Sequence, residues 1–268
     1  MIEEGLGLRH VRTRLFKELG VTEGSLKDDV AALKDWLRKQ PHLPDLPKFD
    51  IDNWLENLLL MTKNRVERTK EVADAYISAR SLCPDLFTTR DVDNLLMRDS
   101  FDYITIGMLP GLTKEGHRVF VMKITDPSID RYHLETVMKR SLMIMDTFLM
   151  SAVDFTGIHV LHDLQNFRLG HLTKFNLTLM KVMATGMKAY PFRIPKVTLV
   201  NTPSHIDKVI TLFKPFMSAK LMSRVKSYKD SSQLSDRIPT NIIPLDYGGG
   251  GPSLKSVNGD FIVISQCI

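Results

Sequence analysis

Apolar residues recur at helical spacing through residues 25–81, and beyond residue 102 they fall into short blocks and alternating runs. In residues 25–40, Val30, Leu33, Trp36 and Leu37 form one apolar stripe, which predicts an amphipathic helix. Ser25, with Asp28 three residues on, is its expected N-cap. Pro41, Pro44 and Pro47 end it, because proline lacks the amide hydrogen a helix needs. Two more helices are expected over 52–61 and 65–81, closed by Cys83-Pro84. Residues 1–90 thus read as a small all-helical unit and 91–268 as a second domain.

In the second part, 103–106, 118–124, 156–161 and 196–200 read as strands. Residues 134–150 form a helix that is apolar on nearly every side, hence buried; 172–190 and 206–213 are further helices. Strands alternating with helices imply an α/β fold whose sheet is built through crossovers. In the tail, 258–268, the spacing of Phe261 and Val263 predicts an edge strand.

Two stretches stand out. Of 14 methionines, Met138, Met143, Met145 and Met150 lie on one expected helix and Met180, Met183 and Met187 on the next. Methionine fills irregular apolar space, so these helices are either a Met-rich core or the wall of a pocket. The other stretch is 204–224, where Ser204 with Asp207 makes a capping pattern. Ile206, Val209, Ile210 and Phe213 then share one face, Pro215 interrupts the helix, and Phe216 and Met217 extend the apolar surface. Lys208, Lys214, Lys220 and Arg224 flank it. An ordinary surface helix and a segment that meets an anionic membrane both fit this pattern.

Composition narrows the class. Apolar residues at 43% and charged residues at 25% describe an ordinary globular protein, and a net charge of +5 is too mild to imply nucleic acid. Two cysteines, Cys83 and Cys267, give no disulfide framework, so a reducing, cytoplasmic setting is expected. Residues 1–20 lack a signal-peptide core, and no apolar run reaches the roughly 18 residues a membrane span requires.

Five segments, in order, carry a family resemblance: Gly116-His117-Arg118-Val119-Phe120; Ala189-Tyr190-Pro191-Phe192-Arg193; Val200-Asn201-Thr202-Pro203; Leu212-Phe213-Lys214-Pro215-Phe216; and Ile238-Pro239 through Leu245-Asp246-Tyr247-Gly248-Gly249. The chain resembles the CRAL-TRIO (Sec14-like) lipid-binding family, in its animal tocopherol- and retinaldehyde-transfer branch. That resemblance implies an N-terminal helical unit followed by an α/β domain, whose mixed sheet floors an apolar cavity beneath a mobile helical gate. It makes Val137, Ser141, Met145 and Phe148, with Leu179, Val182, Met183 and Met187, the pocket wall. It makes Ile206, Val209, Ile210, Phe213, Phe216 and Met217 the gate.

The same resemblance implies transient contact with a phosphoinositide-containing membrane through Arg193, Lys196, Lys220 and Arg224. Lys196 there substitutes for a family basic position occupied by Pro195. Where the family reads F-L-R-A-R-K-F, this chain reads Leu58-Leu59-Leu60-Met61-Thr62-Lys63-Asn64. The family's small hydroxyl positions fall near Ser141 and Met145, and the loss of one implies a mostly apolar ligand such as a tocopherol, retinoid, carotenoid or other isoprenoid.

Catalytic chemistry is not expected. His159-Val160-Leu161-His162-Asp163 is the tempting cluster, but on a strand His162 faces away from His159 and Asp163, so no metal site forms. The Gly248–Gly251 run is followed by Pro252 and opens no helix, unlike a phosphate loop. The expected activity is therefore a cytoplasmic carrier without cofactor that meets membranes peripherally. A phosphoinositide-binding scaffold and a lipid-modifying enzyme are the alternatives.

Overall fold

The computed structural model describes residues 2–43, 49–87, 90–151, 153–175 and 177–265. Five helices come first: α1 (Ile2–Leu19), α2 (Glu23–Arg38), α3 (Ile51–Met61), α4 (Val66–Leu82) and the single turn α5 (Pro84–Phe87). Next come α6 (Leu95–Tyr103), β1 (Ile104–Leu109), β2 (His117–Ile124), α7 (Leu134–Met150), β3 (Gly157–Asp163) and α8 (Leu177–Gly186). β4 (Lys196–Val200), α9 (Ile206–Phe213), α10 (Ala219–Met222), β5 (Val225–Ser227) and α11 (Leu254–Ser265) follow. Two compact units emerge: residues 1–89 with 145–156 and 181–193, and residues 90–144 with 157–180 and 194–268.

The first unit is helical. Leu26, Val30, Leu33 and Leu37 of α2 are buried, as are Trp54, Leu55, Leu58 and Leu59 of α3 and Val72, Ala73, Tyr76 and Ile77 of α4. Helix α2 begins ahead of Ser25. Thr22 is its N-cap, with Ser25 N donating to Thr22 Oγ1 at 3.1 Å and Thr22 N donating to Ser25 Oγ at 3.0 Å. Ser25 thus completes a reciprocal box rather than capping the helix itself. The amides of α3 also terminate α7: Asn57 Nδ2 donates to the Leu149 carbonyl at 2.9 Å and to that of Ser151 at 2.7 Å. Those bonds satisfy acceptors that a helix C-terminus leaves open.

Charge is buried here too. The Asp146 side chain, 2% exposed, accepts from Arg80 Nη2 at 2.7 Å, Tyr76 OH at 2.9 Å and Tyr190 OH at 2.8 Å. Burial is the largest influence on Arg80 and opposes its charge, but the Asp146 carboxylate together with Tyr76 and Tyr190 outweighs it and holds the guanidinium pKa above its ordinary value. Tyr190 belongs to one of the motif segments read from sequence, and its role in this unit is to tie residues 189–193 to α4 and α7.

The second unit contains a five-stranded sheet in the order β1-β2-β3-β4-β5, with β1 antiparallel to β2 and all other pairs parallel. β4 and α9 fall where the sequence places them. The helix expected over 172–190 is instead a 3-10 turn at Leu169–Lys174, then α8, then a 3-10 turn at Met187–Ala189. The tail expected as an edge strand is helical, α11; residues 266–268, with Cys267, lie outside the described residues.

Helix α11 lies close on β1. A Cβ at Gly107 would stand 2.3 Å from Val257 Cγ1, so only glycine admits this approach. The buried Arg140 guanidinium fixes the same contact, donating to Asn258 Oδ1 at 2.6 Å and to the Ser100 and Ile104 carbonyls at 2.9 and 3.1 Å.

The glycine run folds back on the chain before it. Gly248 has φ +77°, and a Cβ at Gly249 would sit 2.1 Å from the Ile243 carbonyl oxygen. Gly249→Ala is therefore expected to cost about 1–3 kcal/mol as the loop shifts, seen as a lower urea midpoint with an unchanged slope.

Candidate functional site

Register and alternation divide the sheet into two unlike faces. On one face lie Leu109, Val119, Val121, His159, Leu161, Asp163, Thr198 and Val200, all buried. Residues 234–243 and α11 supply apolar partners to that face through Leu234, Ile238, Ile242, Ile243, Leu254 and Val257.

The opposite face carries Met108 on β1, Phe120 and Met122 on β2, Val160 and His162 on β3, and Leu199 on β4. Phe120 is buried, but Met108, Met122, Val160, His162 and Leu199 are all only half-buried. Inner strands of a parallel sheet are ordinarily covered on both faces. Here the centre of one face, made mostly of apolar side chains, is left partly open. The family resemblance implied a sheet floor, but the sequence named none of these residues for it, because alternation separates two faces without saying which is covered.

At the C-terminal ends of β2 and β3, on the closed face, a polar network pins two of the motif segments. Asp163 lies against Lys123 Nζ at 3.0 Å, and accepts from Tyr247 OH at 2.8 Å, Asn201 Nδ2 at 2.9 Å and Gln165 N at 2.9 Å. Burial, and then the Asp163 charge, push the Tyr247 hydroxyl pKa up, so it stays a donor. Asn201 has φ +52°, a left-handed conformation asparagine tolerates. Thr202 N and Oγ1 both donate to the Tyr228 carbonyl, at 3.2 and 2.9 Å. The entry to α9 is thereby anchored to β3 and to the residue after β5.

The expected gate is α9, a 3-10 turn at Lys214–Phe216 that contains Pro215, and then α10. The N-cap of α9 is His205, without a side-chain bond, rather than Ser204. Val209 is buried, while Ile206, Ile210, Phe213 and Met217 are half-buried and Leu212 is exposed. Phe213 meets Phe175 edge-on at 5.1 Å. The apolar stripe read from sequence is therefore present but incompletely covered. The Phe216 side chain lies outside the described residues.

Among the expected wall residues of the second unit, Val137 and Leu179 are buried and Ser141 is half-buried. Ser141 Oγ donates to the Val137 carbonyl at 2.9 Å, so its proton is committed within α7. In the first unit, Met145, Phe148 and Val182 are half-buried, and Met187 is 54% exposed on the 3-10 turn that follows α8. The Met183 side chain lies outside the described residues. Of the helical methionines, Met138, Met143 and Met180 are core.

The expected basic residues have different local partners. Lys196 Nζ is 2.6 Å from Glu115, whose carboxyl pKa is drawn down to about 2 chiefly by that bond. Arg224 Nη1 donates to the Ile194 carbonyl at 2.5 Å, and Lys220 is exposed. In the first unit, Arg193 Nη2 donates to the Leu60 carbonyl at 3.5 Å, and burial lowers its pKa. Leu60 is itself buried, at the end of α3. Lys63 and Asn64 next to it both adopt positive φ, which suits asparagine far better than the family's phenylalanine.

Among the described residues no group of three or more His, Cys, Asp or Glu is placed to hold a metal, and no helix is long and apolar enough to cross a membrane.

A mixed α/β sheet with one closed face and one apolar, half-open face, in a unit that also carries a proline-broken amphipathic helix, suits a hydrophobic-ligand domain. The CRAL/TRIO domain model matches residues 105–249, and the Pinta-like, UBA domain model matches residues 22–96. The chain belongs to the CRAL/TRIO family of lipid-binding proteins. Alpha-tocopherol transfer protein-like of Mus musculus and that of Homo sapiens are each 23% identical over 241 residues, spanning 89% of this chain and 69% of theirs. The crystal structure of Sfh5 shares the fold, with a TM-score of 0.50 and 14% identity over 96% of this chain and 97% of that one.

Proposed function

We propose that this protein carries a single hydrophobic, isoprenoid-type molecule and transfers it between membranes, residues 91–268 holding the ligand. The observation that carries this reading is the half-buried apolar floor of Met108, Met122, Val160 and Leu199 across β1 to β4. Covering such a surface gains about 25 cal/mol per Å², before the cost of ordering the ligand. The incompletely covered α9 face, with Ile206, Ile210 and Phe213, supports its assignment as the gate. The 23% identity to proteins named as alpha-tocopherol transfer protein-like supports transfer as the activity. Docking to an anionic, phosphoinositide-bearing surface would fall first to exposed Lys220, because a headgroup reaching Lys196 must displace Glu115.

Organic extraction of the purified chain followed by mass spectrometry is expected to yield a hydrophobic compound near one per protein. Phe213→Asp, which places a charge on the gate's apolar face, is expected to lower that occupancy several-fold. Recovery of no such compound from wild type, together with no uptake from loaded vesicles, would overturn the reading.

A further inference from the structure

His162 is the polar side chain at the centre of the sheet floor; Arg118, half-buried on the same face, lies at the start of β2, in register with Ile158. His162 sits at the middle of the sheet, in register with Met122 on β2 and Leu199 on β4, and next but one to Val160 on its own strand. These neighbours offer it no hydrogen-bonding group, and it makes no hydrogen bond to the described residues. Solvent can pair with a half-open imidazole, and a ligand that covers the floor must replace that pairing or leave the ring unsatisfied. His159, on the closed face of the same strand, differs in this respect, since its Nε2 is hydrogen bonded to Thr198 Oγ1 at 2.7 Å.

We propose that His162 reads the polar end of the ligand, and that it selects a neutral hydrophobic molecule bearing a hydroxyl group over the centre of the sheet. This rests on the carrier reading above and narrows its ligand class.

The chemistry follows from the ring. Burial lowers the His162 pKa to about 4, so the imidazole is neutral at pH 7, with one nitrogen donating and the other accepting. A hydroxyl can serve either nitrogen; a carbonyl or an ether can serve only the donor. A pure hydrocarbon leaves both unpaired, and a carboxylate would bring an uncompensated charge into an apolar frame. Ser141, the hydroxyl that the sequence puts forward, has its proton committed to Val137 and is the poorer candidate for this donor.

Retinol and the hydrocarbon in which a methyl group replaces its CH2OH serve as matched probes, titrated into the full chain and followed by ligand fluorescence. His162→Leu should weaken retinol binding by about tenfold, the worth of one hydrogen bond to a group that is otherwise unpaired, and leave hydrocarbon binding no weaker, so that the ratio of the two affinities shifts about tenfold. His162→Gln, which keeps a donor and an acceptor, should restore part of that shift. A ratio unchanged in His162→Leu would overturn the assignment while leaving the carrier reading intact. Failure of wild type to bind either probe, with no compound recovered by extraction, would remove the carrier reading and this assignment with it.

Discussion

Asp146→Asn should destabilise the protein by about 3 kcal/mol, more than removal of any single apolar contact on the surface of the helical unit. The carboxylate balances the guanidinium of Arg80, whose side chain is only 18% exposed and stands 3.4 Å from the centre of the Tyr76 ring. With the charge gone, Arg80 remains largely desolvated beside a neutral amide, and the penalty is that of an uncompensated buried cation rather than of one lost hydrogen bond. Two controls separate these. Tyr190→Phe, which removes one donor to Asp146 and keeps the charge pair, should cost only about 1 kcal/mol. The double variant Arg80→Met, Asp146→Leu should recover most of the loss, since an apolar pair of similar volume often replaces a buried ion pair at little cost. Urea midpoints at constant slope would report all three. Equal losses in Asp146→Asn and Tyr190→Phe would show that charge balance contributes nothing here.

That network also shows which parts of the molecule could be read in advance. Tyr190 was visible as part of a motif, but its purpose was not, because Asp146, Tyr76 and Arg80 come from helices distant in sequence. Boundaries set by strong local chemistry were legible: β4 is followed by Asn201 and Pro203, and α9 stops where Pro215 forbids continuation. Boundaries set by competition between neighbours were not. Ser25 and Thr22 are both good caps, and the choice between them rests on a reciprocal pair of bonds.

α11 was misread because two alternating apolar residues are too few to distinguish a strand from a helix. Its helical form is held by tertiary contacts, the Gly107 approach and the Arg140–Asn258 bond. β5, three residues at the sheet edge with two of them exposed, has no periodic signal to detect. The candidate site divides in the same way. The apolar stripe of α9 is periodic and was legible, whereas the residues of the sheet floor depend on what is absent above one face.

Acid should destabilise this protein well before its carboxylates titrate, and His159 is one main reason. The fully buried ring has its pKa lowered to about 3, first by burial and then by the positive charges of Arg237 and Lys196. In the unfolded chain the same ring titrates near its ordinary value of about 6.5. Between those two values the unfolded state binds a proton that the folded state refuses, so stability falls as pH drops below about 6.5 and levels off near 3. At about 1.4 kcal/mol per pH unit, His159 alone should remove about 2 kcal/mol between pH 7 and pH 5. His162, with its pKa lowered to about 4, adds a loss of the same sign and, between pH 7 and pH 5, of similar size.

Glu115, drawn down to about 2, does not contribute in this window, because the stability from a depressed carboxyl is lost only as pH falls below its unfolded value of about 4.5. His159→Gln keeps a partner for Thr198 and removes the titration. It should therefore be less stable than wild type at pH 7 but lose roughly 2 kcal/mol less on going to pH 5. Parallel urea-midpoint curves for the two proteins across that range would rule out His159 as the source.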